Sequence, residues 1–202
     1  MKIIKYKFAL LIFIFFNFFE AFAQNDSVKI QQLLDKTTSM EISNPEEAIK
    51  QYRKTFDLSI KSKWHKGAFK SMQNIGFVHS DNGRYDSAIT YYQKALPFAQ
   101  KANYTRGIGT TYINMGNSFQ FKGDYEKAIH LYLKGTPILE SIKDSIVISN
   151  CYQNLSALYA NIKNLKLQEF YGKKALQHAK STDTESKCLI YCDFALFYIR
   201  QN

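Results

Sequence analysis

The chain has 202 residues, of which 27 are Lys or Arg and 17 are Asp or Glu, so its formal net charge is +10. This length fits one ordinary domain or one repeat array. The positive charges are spread along the chain without a block of like charge, which is typical of a solvated surface and argues against a nucleic-acid partner. The net charge by itself predicts a mild preference for acidic peptides or an anionic surface.

The first 23 residues have the three parts of a secretory signal peptide. Three lysines within 1–7 precede an apolar run, Phe8 to Phe19, and a small-x-small site follows at 21–23. The twelve residues of the run span about 18 Å as a helix, less than the roughly 30 Å of a bilayer core. We therefore predict cleavage after Ala23 and export, periplasmic or secreted in a Gram-negative bacterium. The alternative is an uncleaved anchor, and membrane association is expected only in that case.

Beyond this leader the chain repeats itself at an interval of 40 residues. The segment GRYDSAITYYQKA at 83–95 returns as GDYEKAIHLYLKG at 123–135. Other residues recur in the same register: Ala48, Ala88 and Ala128; Tyr52, Tyr92 and Tyr132; Asn74, Asn114 and Asn154; Gly76 and Gly116. A fixed period between 20 and 50 residues is typical of a solenoid, in which each unit buries its apolar face against its neighbours.

Each unit is predicted to consist of two helices. The apolar stripe of the segment 109–121 has helical spacing and consists of Tyr112, Met115, Gly116 and Phe119. Gly123 then ends this helix, because glycine readily adopts a positive φ, and Asp124 is the expected N-cap of the next helix. In the first unit Asn44 is the expected N-cap. Gly116 is small enough to let two helix backbones approach each other.

The pattern Tyr112-x2-Met115-Gly116-x2-Phe119, followed by Ala128-x3-Tyr132, resembles the tetratricopeptide repeat. The resemblance covers nearly all of 26–201 and implies an all-α fold, a right-handed α-solenoid of stacked antiparallel helix pairs. The array is expected to occupy 24–202 after the leader at 1–23. Its units are predicted near 26–62, 64–102, 104–141 and 144–181, with a single helix near 184–200.

The period of 40 residues is longer than the usual tetratricopeptide period of about 34 residues. We interpret the excess as longer helices of roughly 17 residues each. Pro97 and Pro137 fall inside the second helices of their units. Because proline removes a helical hydrogen bond, we expect these residues to kink their helices or to end them early.

One stripe of each first helix lies away from the packing residues. Its members are Lys70, Asn74, Phe77 and Asp81, then Thr110, Asn114, Asn117 and Phe121, then Asn150, Asn154, Ala157 and Asn161. The resemblance implies that this stripe lines a concave groove that holds an extended or helical peptide. A carboxamide donates and accepts hydrogen bonds, so the recurring asparagines can pair with a peptide backbone. The alternative is that they hydrogen-bond within the solenoid.

The remaining polar residues form no recognisable catalytic or metal-binding pattern. The histidines are scattered at His65, His79, His130 and His178. His79 occupies an aromatic core position of the repeat, so we interpret it as core filling. The three cysteines, Cys151, Cys188 and Cys192, are interpreted as buried core residues, with one disulfide that involves Cys151 as the alternative. We therefore expect no enzyme activity, no cofactor and no metal.

Two functions fit these predictions. The first is an exported interaction scaffold that binds a protein or peptide partner in the concave groove, without nucleic acid or a small-molecule cofactor. The second is the N-terminal sensory or scaffold region of a longer signalling protein, a histidine kinase or a helix-turn-helix regulator. Arrays of this kind resemble the leading portion of such proteins, so the sequence that follows Asn202 would distinguish the two functions.

Overall fold

The computed structural model describes residues 26–179, which form eight helices and no strands. Helix α1 spans 26–38. The other helices are α2 (Pro45–Lys61), α3 (His65–Asp81), α4 (Tyr85–Lys101), α5 (Thr105–Phe121), α6 (Tyr125–Ser141), α7 (Ser145–Asn161) and α8 (Leu165–His178). The predicted all-α repeat fold is confirmed. The predicted leader, the predicted helix near 184–200, and two cysteines, Cys188 and Cys192, lie outside the described residues.

Helices α2 to α7 are each 17 residues long, as predicted from the repeat period. The links that follow α2 to α7 have three residues each, and the middle residue of every link has a φ between 49° and 80°. These middle residues are Lys63, Gly83, Asn103, Gly123, Lys143 and Lys163. A left-handed residue just past a helix end reverses the chain direction, so consecutive helices run antiparallel. The positive φ predicted at Gly123 is confirmed at 80°.

Two of the predicted helix starts carry the expected side-chain caps. The Asn44 carboxamide oxygen accepts a hydrogen bond of 3.2 Å from the backbone N–H of Glu47. The Asp124 carboxylate accepts a hydrogen bond of 3.2 Å from the backbone N–H of Lys127. Each cap satisfies one of the backbone donors that a helix leaves without a partner in its first turn. Both cap predictions are therefore confirmed.

The two helix prolines do not have the predicted terminating effect. Helix α4 continues through Pro97 to Lys101, and α6 continues through Pro137 to Ser141. Both prolines are exposed, as are the residues four positions earlier whose carbonyls lose a helical donor. Because water can reach these carbonyls, the lost hydrogen bond is replaced and the helix continues. The prediction of an early helix end was wrong for this reason.

No helix within the described range is long and apolar enough to cross a membrane.

The recurring tyrosines are central to the core. Tyr52, Tyr92 and Tyr132 are at most 2% exposed, and each packs close to a first helix. A Cβ atom at Gly116 would lie 2.8 Å from the ring of Tyr132, and one at Gly76 would lie 2.6 Å from the ring of Tyr92. Both distances are shorter than a carbon–carbon contact allows. The close helix approach predicted at Gly116 is therefore confirmed.

The helix contacts show which side of the stack is concave. Among α2 to α8, the first helices α3, α5 and α7 contact their counterparts in the adjacent unit, but the second helices contact only first helices. Adjacent first helices therefore lie closer together than adjacent second helices. A stack that is more closely spaced on one side curves toward that side, so the first helices line the concave face.

Candidate functional site

A pocket of about 280 Å³ opens where the second and third units meet on the first-helix side, and we refer to it as the central pocket. It is lined by Phe77, Ser80, Asp81, Tyr85, Tyr92, Asn114, Asn117 and Phe121. Five of these residues belong to the groove stripe predicted from the sequence: Phe77, Asp81, Asn114, Asn117 and Phe121. The last turns of α3 and α5 contribute most of the lining, so the pocket lies at the C-terminal ends of two adjacent first helices.

Aromatic side chains form the outer wall of the central pocket. Phe77 is 49% exposed and Phe121 is 67% exposed, although both are large apolar residues. The Phe121 ring stacks on the ring of Tyr85, with centroids 5.5 Å apart and planes 12° from parallel. Exposed aromatic surface that is gathered in one concavity is typical of a binding site, since scattered apolar residues do not form such a patch.

Tyr92 lines the central pocket, and its surroundings differ from those of the other two recurring tyrosines, Tyr132 and Tyr52. The Tyr132 hydroxyl lies 2.6 Å from both Asn117 Oδ1 and Gln120 Oε1. Asn154 of the next unit donates to Asn117 Oδ1 at 3.1 Å and lies 3.4 Å from the Tyr132 hydroxyl. These amide groups close the space above Tyr132. Asn154 therefore hydrogen-bonds within the solenoid, as in the alternative interpretation of the recurring asparagines.

Tyr52 of the first unit is closed in a comparable way. Its hydroxyl donates to Glu41 Oε1 at 2.5 Å, lies 3.1 Å from Thr38 Oγ1 and hydrogen-bonds the side chain of Asn74. Asn74 therefore also binds a core tyrosine within the solenoid. Burial raises the pKa of the Tyr52 and Tyr132 phenols well above their usual value, so both hydroxyls are neutral hydrogen-bond donors.

Tyr92, at the central pocket, lacks this closure. Its hydroxyl hydrogen-bonds Ser80, and the Asn114 carboxamide lines the pocket without a hydrogen bond to any residue in 26–179. The positions equivalent to Asn117 and Gln120 are occupied here by Phe77 and Ser80. Phenylalanine cannot accept a hydrogen bond, and serine is shorter than glutamine. The space above Tyr92 therefore stays open.

The electrostatic character of the central pocket is acidic. Asp81 is its single charged lining residue and forms no ion pair within the described part of the chain. Glu41 lies near enough to Asp81 to interact with its charge. Burial raises the pKa of the Glu41 carboxyl above its usual value, and the Asp81 charge raises it further by a smaller amount. The hydrogen bond from Tyr52 acts in the opposite direction and lowers this pKa. Neither carboxyl group forms an ion pair with a residue in 26–179.

The other residues predicted for the groove do not meet at this pocket. Lys70 donates to Gln31 Oε1 of α1 at 2.5 Å, and burial lowers the pKa of its ammonium group. Thr110 donates to the Gly107 carbonyl of its own helix at 3.2 Å. Asn150 and Asn161 are exposed on α7. Each of these four residues therefore lies outside the central pocket.

Three pocket residues were not predicted as groove residues: Ser80, Tyr85 and Tyr92. The sequence identifies Tyr92 only as one of the three recurring tyrosines, and the structure shows that it is a core residue, 2% exposed. The signal that could have found it is the constant separation between each recurring tyrosine and a recurring asparagine, which places the two residue types on facing helices.

Cys151 and His79 do not line the central pocket. Cys151 is a free thiol with no exposed surface, its sulfur lies 2.7 Å from Thr136 Oγ1, and burial raises its pKa to about 12. Its interpretation as a buried core residue is confirmed. His79 is half-buried and stacks on Tyr91 with a centroid distance of 5.2 Å, and burial lowers its pKa.

Stacked antiparallel helix pairs with these recurring small and aromatic residues define a helical-repeat solenoid. The family described as tetratricopeptide repeat matches residues 67–141 of the chain. No curated protein matches the chain at a significant level.

Several solved structures share this fold. One is a signal transduction ATPase with numerous domains (STAND) protein with a tetratricopeptide repeat sensor from Pyrococcus horikoshii, at 22% identity and a TM-score of 0.74, covering 86% of this chain and 27% of that one. Aspartyl phosphate phosphatase F from Bacillus subtilis is 15% identical with a TM-score of 0.79, covering 84% and 45%. A Rap protein complexed with competence and sporulation factor is 16% identical with a TM-score of 0.67, covering 75% and 42%. The chain thus spans less than half the length of each.

Proposed function

We propose that this protein is an exported interaction scaffold that holds a segment of a partner protein in its concave groove. The observation that carries the proposal is the central pocket, where exposed aromatic rings meet a carboxamide that has no hydrogen bond within residues 26–179, on the concave face of a repeat array. The structure of a Rap protein with competence and sporulation factor supports the proposal, because a protein of the same fold was captured there with a bound factor.

The pocket chemistry suits an extended protein segment. Phe77 and Phe121 supply exposed aromatic area, and Phe121 is already held against Tyr85, so that less side-chain entropy is lost on binding. The Asn114 carboxamide supplies one acceptor and two donors for the amide groups of a peptide backbone. Asn74 and Asn154 bond to core tyrosines, so they stabilise the array and leave Asn114 as the asparagine that contacts the partner. The protein has no catalytic role in this proposal.

Selection from a random peptide library displayed on phage tests this function even while the partner is unidentified. The bait is the protein expressed from the 202-residue sequence. Peptides selected on the wild-type protein are then measured against the variant Asn114→Ala with Phe121→Ala, and against Leu133→Ala. Leu133 is the matched control because it is 43% exposed on the second helix α6.

We expect the selected peptides to bind the wild-type protein and the Leu133→Ala variant equally. Loss of the aromatic face and the carboxamide should weaken binding at least about tenfold in the pocket variant. Equal binding to all three proteins would show that the partner surface lies elsewhere on the molecule.

The exported location is the second part of the proposal and has its own test. The leader sequence supports a mature chain that begins at Gln24 outside the cytoplasm. N-terminal sequencing of the protein from fractionated cells should therefore find Gln24. An intact Met1 in the membrane fraction would instead identify the leader as an anchor.

The alternative function is the sensory region of a longer signalling protein. It is favoured by the STAND protein, of which this chain covers 27% and whose description includes a tetratricopeptide repeat sensor. The coding sequence downstream of codon 202 decides between the two. A continued reading frame with a membrane span or a kinase would support the sensory function, and a stop codon would support the scaffold.

A further inference from the structure

We infer that the central pocket binds a basic side chain of the bound segment, with arginine the best fit. This inference rests on the proposed function, because it names the chemistry by which the groove would recognise its partner. It also runs against the net charge of the whole chain, which is +10.

Charge complementarity is the first observation behind this inference. Asp81 is the one charged residue among the pocket lining, and Glu41 lies near it, while no lysine or arginine of the described residues pairs with either. The helices α3 and α5 end at Asp81 and Phe121, so the pocket also lies at two helix C-termini. Helix C-termini carry partial negative charge and stabilise a nearby cation.

The aromatic rings of the pocket are the second observation. Elsewhere in the described part of the chain, lysine ammonium groups lie within 6.0 Å of the ring centroids of Tyr91, Phe98, Tyr104, Tyr112, Phe119, Tyr152 and Phe170. None of these contacts involves Phe77, Tyr85 or Phe121. The pocket therefore presents aromatic faces that the cations of residues 26–179 leave uncovered, and a cation over such a face is attracted by the ring quadrupole.

The size and shape of the pocket favour arginine. Its volume of about 280 Å³ lies just below the range of roughly 300–1,000 Å³ that is typical of pockets for whole small molecules, which suits a single side chain. A guanidinium is flat, stacks on aromatic faces and binds a carboxylate through parallel hydrogen bonds. Phe121 and Tyr85 would supply the stacking surface and Asp81 the carboxylate.

An NMR titration tests this inference with two small probes of the same shape. The probes are the N-acetyl methylamides of arginine and of citrulline, which is neutral but similar in size. Backbone amide shifts are followed in the isotope-labelled protein expressed from the 202-residue sequence. The variants are Asp81→Asn and, as a matched control, Asp57→Asn, which changes an exposed carboxylate on the second helix α2.

We expect the arginine probe to cause saturable shifts at 77–81 and 117–121, and the citrulline probe to bind at least about tenfold more weakly. Asp81→Asn should weaken arginine binding by a similar factor, Asp57→Asn should leave it unchanged, and added salt should weaken it. Equal binding of the two probes, unchanged binding by Asp81→Asn, or no shifts at these residues would overturn the inference.

The outcomes also separate this inference from the proposed function. Library peptides that require Asn114 and Phe121 but contain no basic residue would preserve the scaffold function and overturn the arginine pocket. Arginine-probe binding that depends on Asp81, together with a library that yields no groove-dependent peptide, would preserve the pocket chemistry and contradict the scaffold function.

Discussion

The surroundings of Tyr92 and Tyr132 differ although the two tyrosines occupy the same position of the repeat. Around Tyr132, Asn117 and Gln120 accept hydrogen bonds and Asn154 completes a closed polar network. Around Tyr92, the corresponding positions hold an aromatic and a short hydroxyl side chain, and the central pocket is open. Different side chains at two positions of one helix therefore leave an open pocket where the next unit has an internal support, while the backbone pattern stays the same.

The difference between the surroundings of Tyr92 and Tyr132 separates residues that build the repeat array from residues that form the candidate site. Residues that recur in the first three units, such as the core tyrosines and alanines, stabilise the stack. The candidate site arises at a departure from the repeat, at Phe77 and Ser80. The recurring residues therefore build the common scaffold, and the two residues that depart from the repeat leave recurring residues such as Asn114 and Tyr92 accessible at the central pocket.

The largest change in stability is expected at the glycines that the second and third units share, Gly76 and Gly116. Leucine at Gly76 or at Gly116 would collide with the Tyr92 or Tyr132 ring, because even a Cβ atom would lie 2.6 Å or 2.8 Å from it. We expect each single variant to lower the free energy of unfolding by about 1–3 kcal/mol through overpacking. Thermal or urea melts measure this loss. If only one of the two variants is destabilised, the common scaffold assumed in the comparison is wrong.

A second prediction separates the two asparagines. Asn154→Ala removes the hydrogen bonds to Asn117 and Tyr132 and should lower the free energy of unfolding by about 1 kcal/mol. Asn114→Ala removes no hydrogen bond within the described chain, so its effect should stay within about 0.5 kcal/mol. Urea unfolding of both variants under the same conditions provides the comparison. Equal losses would mean that Asn114 is also an internal support.

A third prediction exchanges the two environments. Phe77→Asn combined with Ser80→Gln copies the closed network of the next unit into the central pocket. Binding of the arginine probe should fall at least about tenfold, and the free energy of unfolding should rise by at most about 1 kcal/mol. The reciprocal change, Asn117→Phe with Gln120→Ser, is the control and should destabilise the protein. Undiminished probe binding after the first exchange would show that these two positions do not control the pocket.

The smallest effect concerns the pH dependence of stability. The folded-state pKa of Glu41 is raised above its usual value of 4.5, so its contribution to stability is present below the unfolded-state pKa and is lost as the pH rises through the folded-state pKa. Glu41→Gln removes this loss because the amide does not ionise. The variant should match the wild type at about pH 4 and exceed it at about pH 7, by under about 0.5 kcal/mol because solvent screens the half-buried carboxylate.

Melts of both proteins at the two pH values measure this difference. A variant that is less stable than the wild type near neutral pH would show that the ionised carboxylate is stabilising, through its hydrogen bond from Tyr52, and that burial is not the dominant influence.

Much of the fold could be predicted because it depends on short-range interactions. The 40-residue period, the 17-residue helices, the caps at Asn44 and Asp124 and the positive φ at Gly123 each depend on residues within a few positions of one another. The groove stripe followed from helical spacing in the same way, and five of its residues line the central pocket. Pro97 was misjudged because its effect depends on which side of the helix faces water, and helical spacing alone did not decide that.

The amino-acid sequence by itself determined a stack of antiparallel helix pairs and the stripe of each first helix that core packing leaves free, because hydrophobic periodicity and turn residues act locally. Only the tertiary structure decided which asparagine is bonded and which is open. That distinction depends on side chains from three helices of two units, such as Asn114, Tyr92 and Phe77, which meet only after the stack has formed. The length and polarity of each side chain at such a junction determine whether the space is filled by the protein or left for a partner.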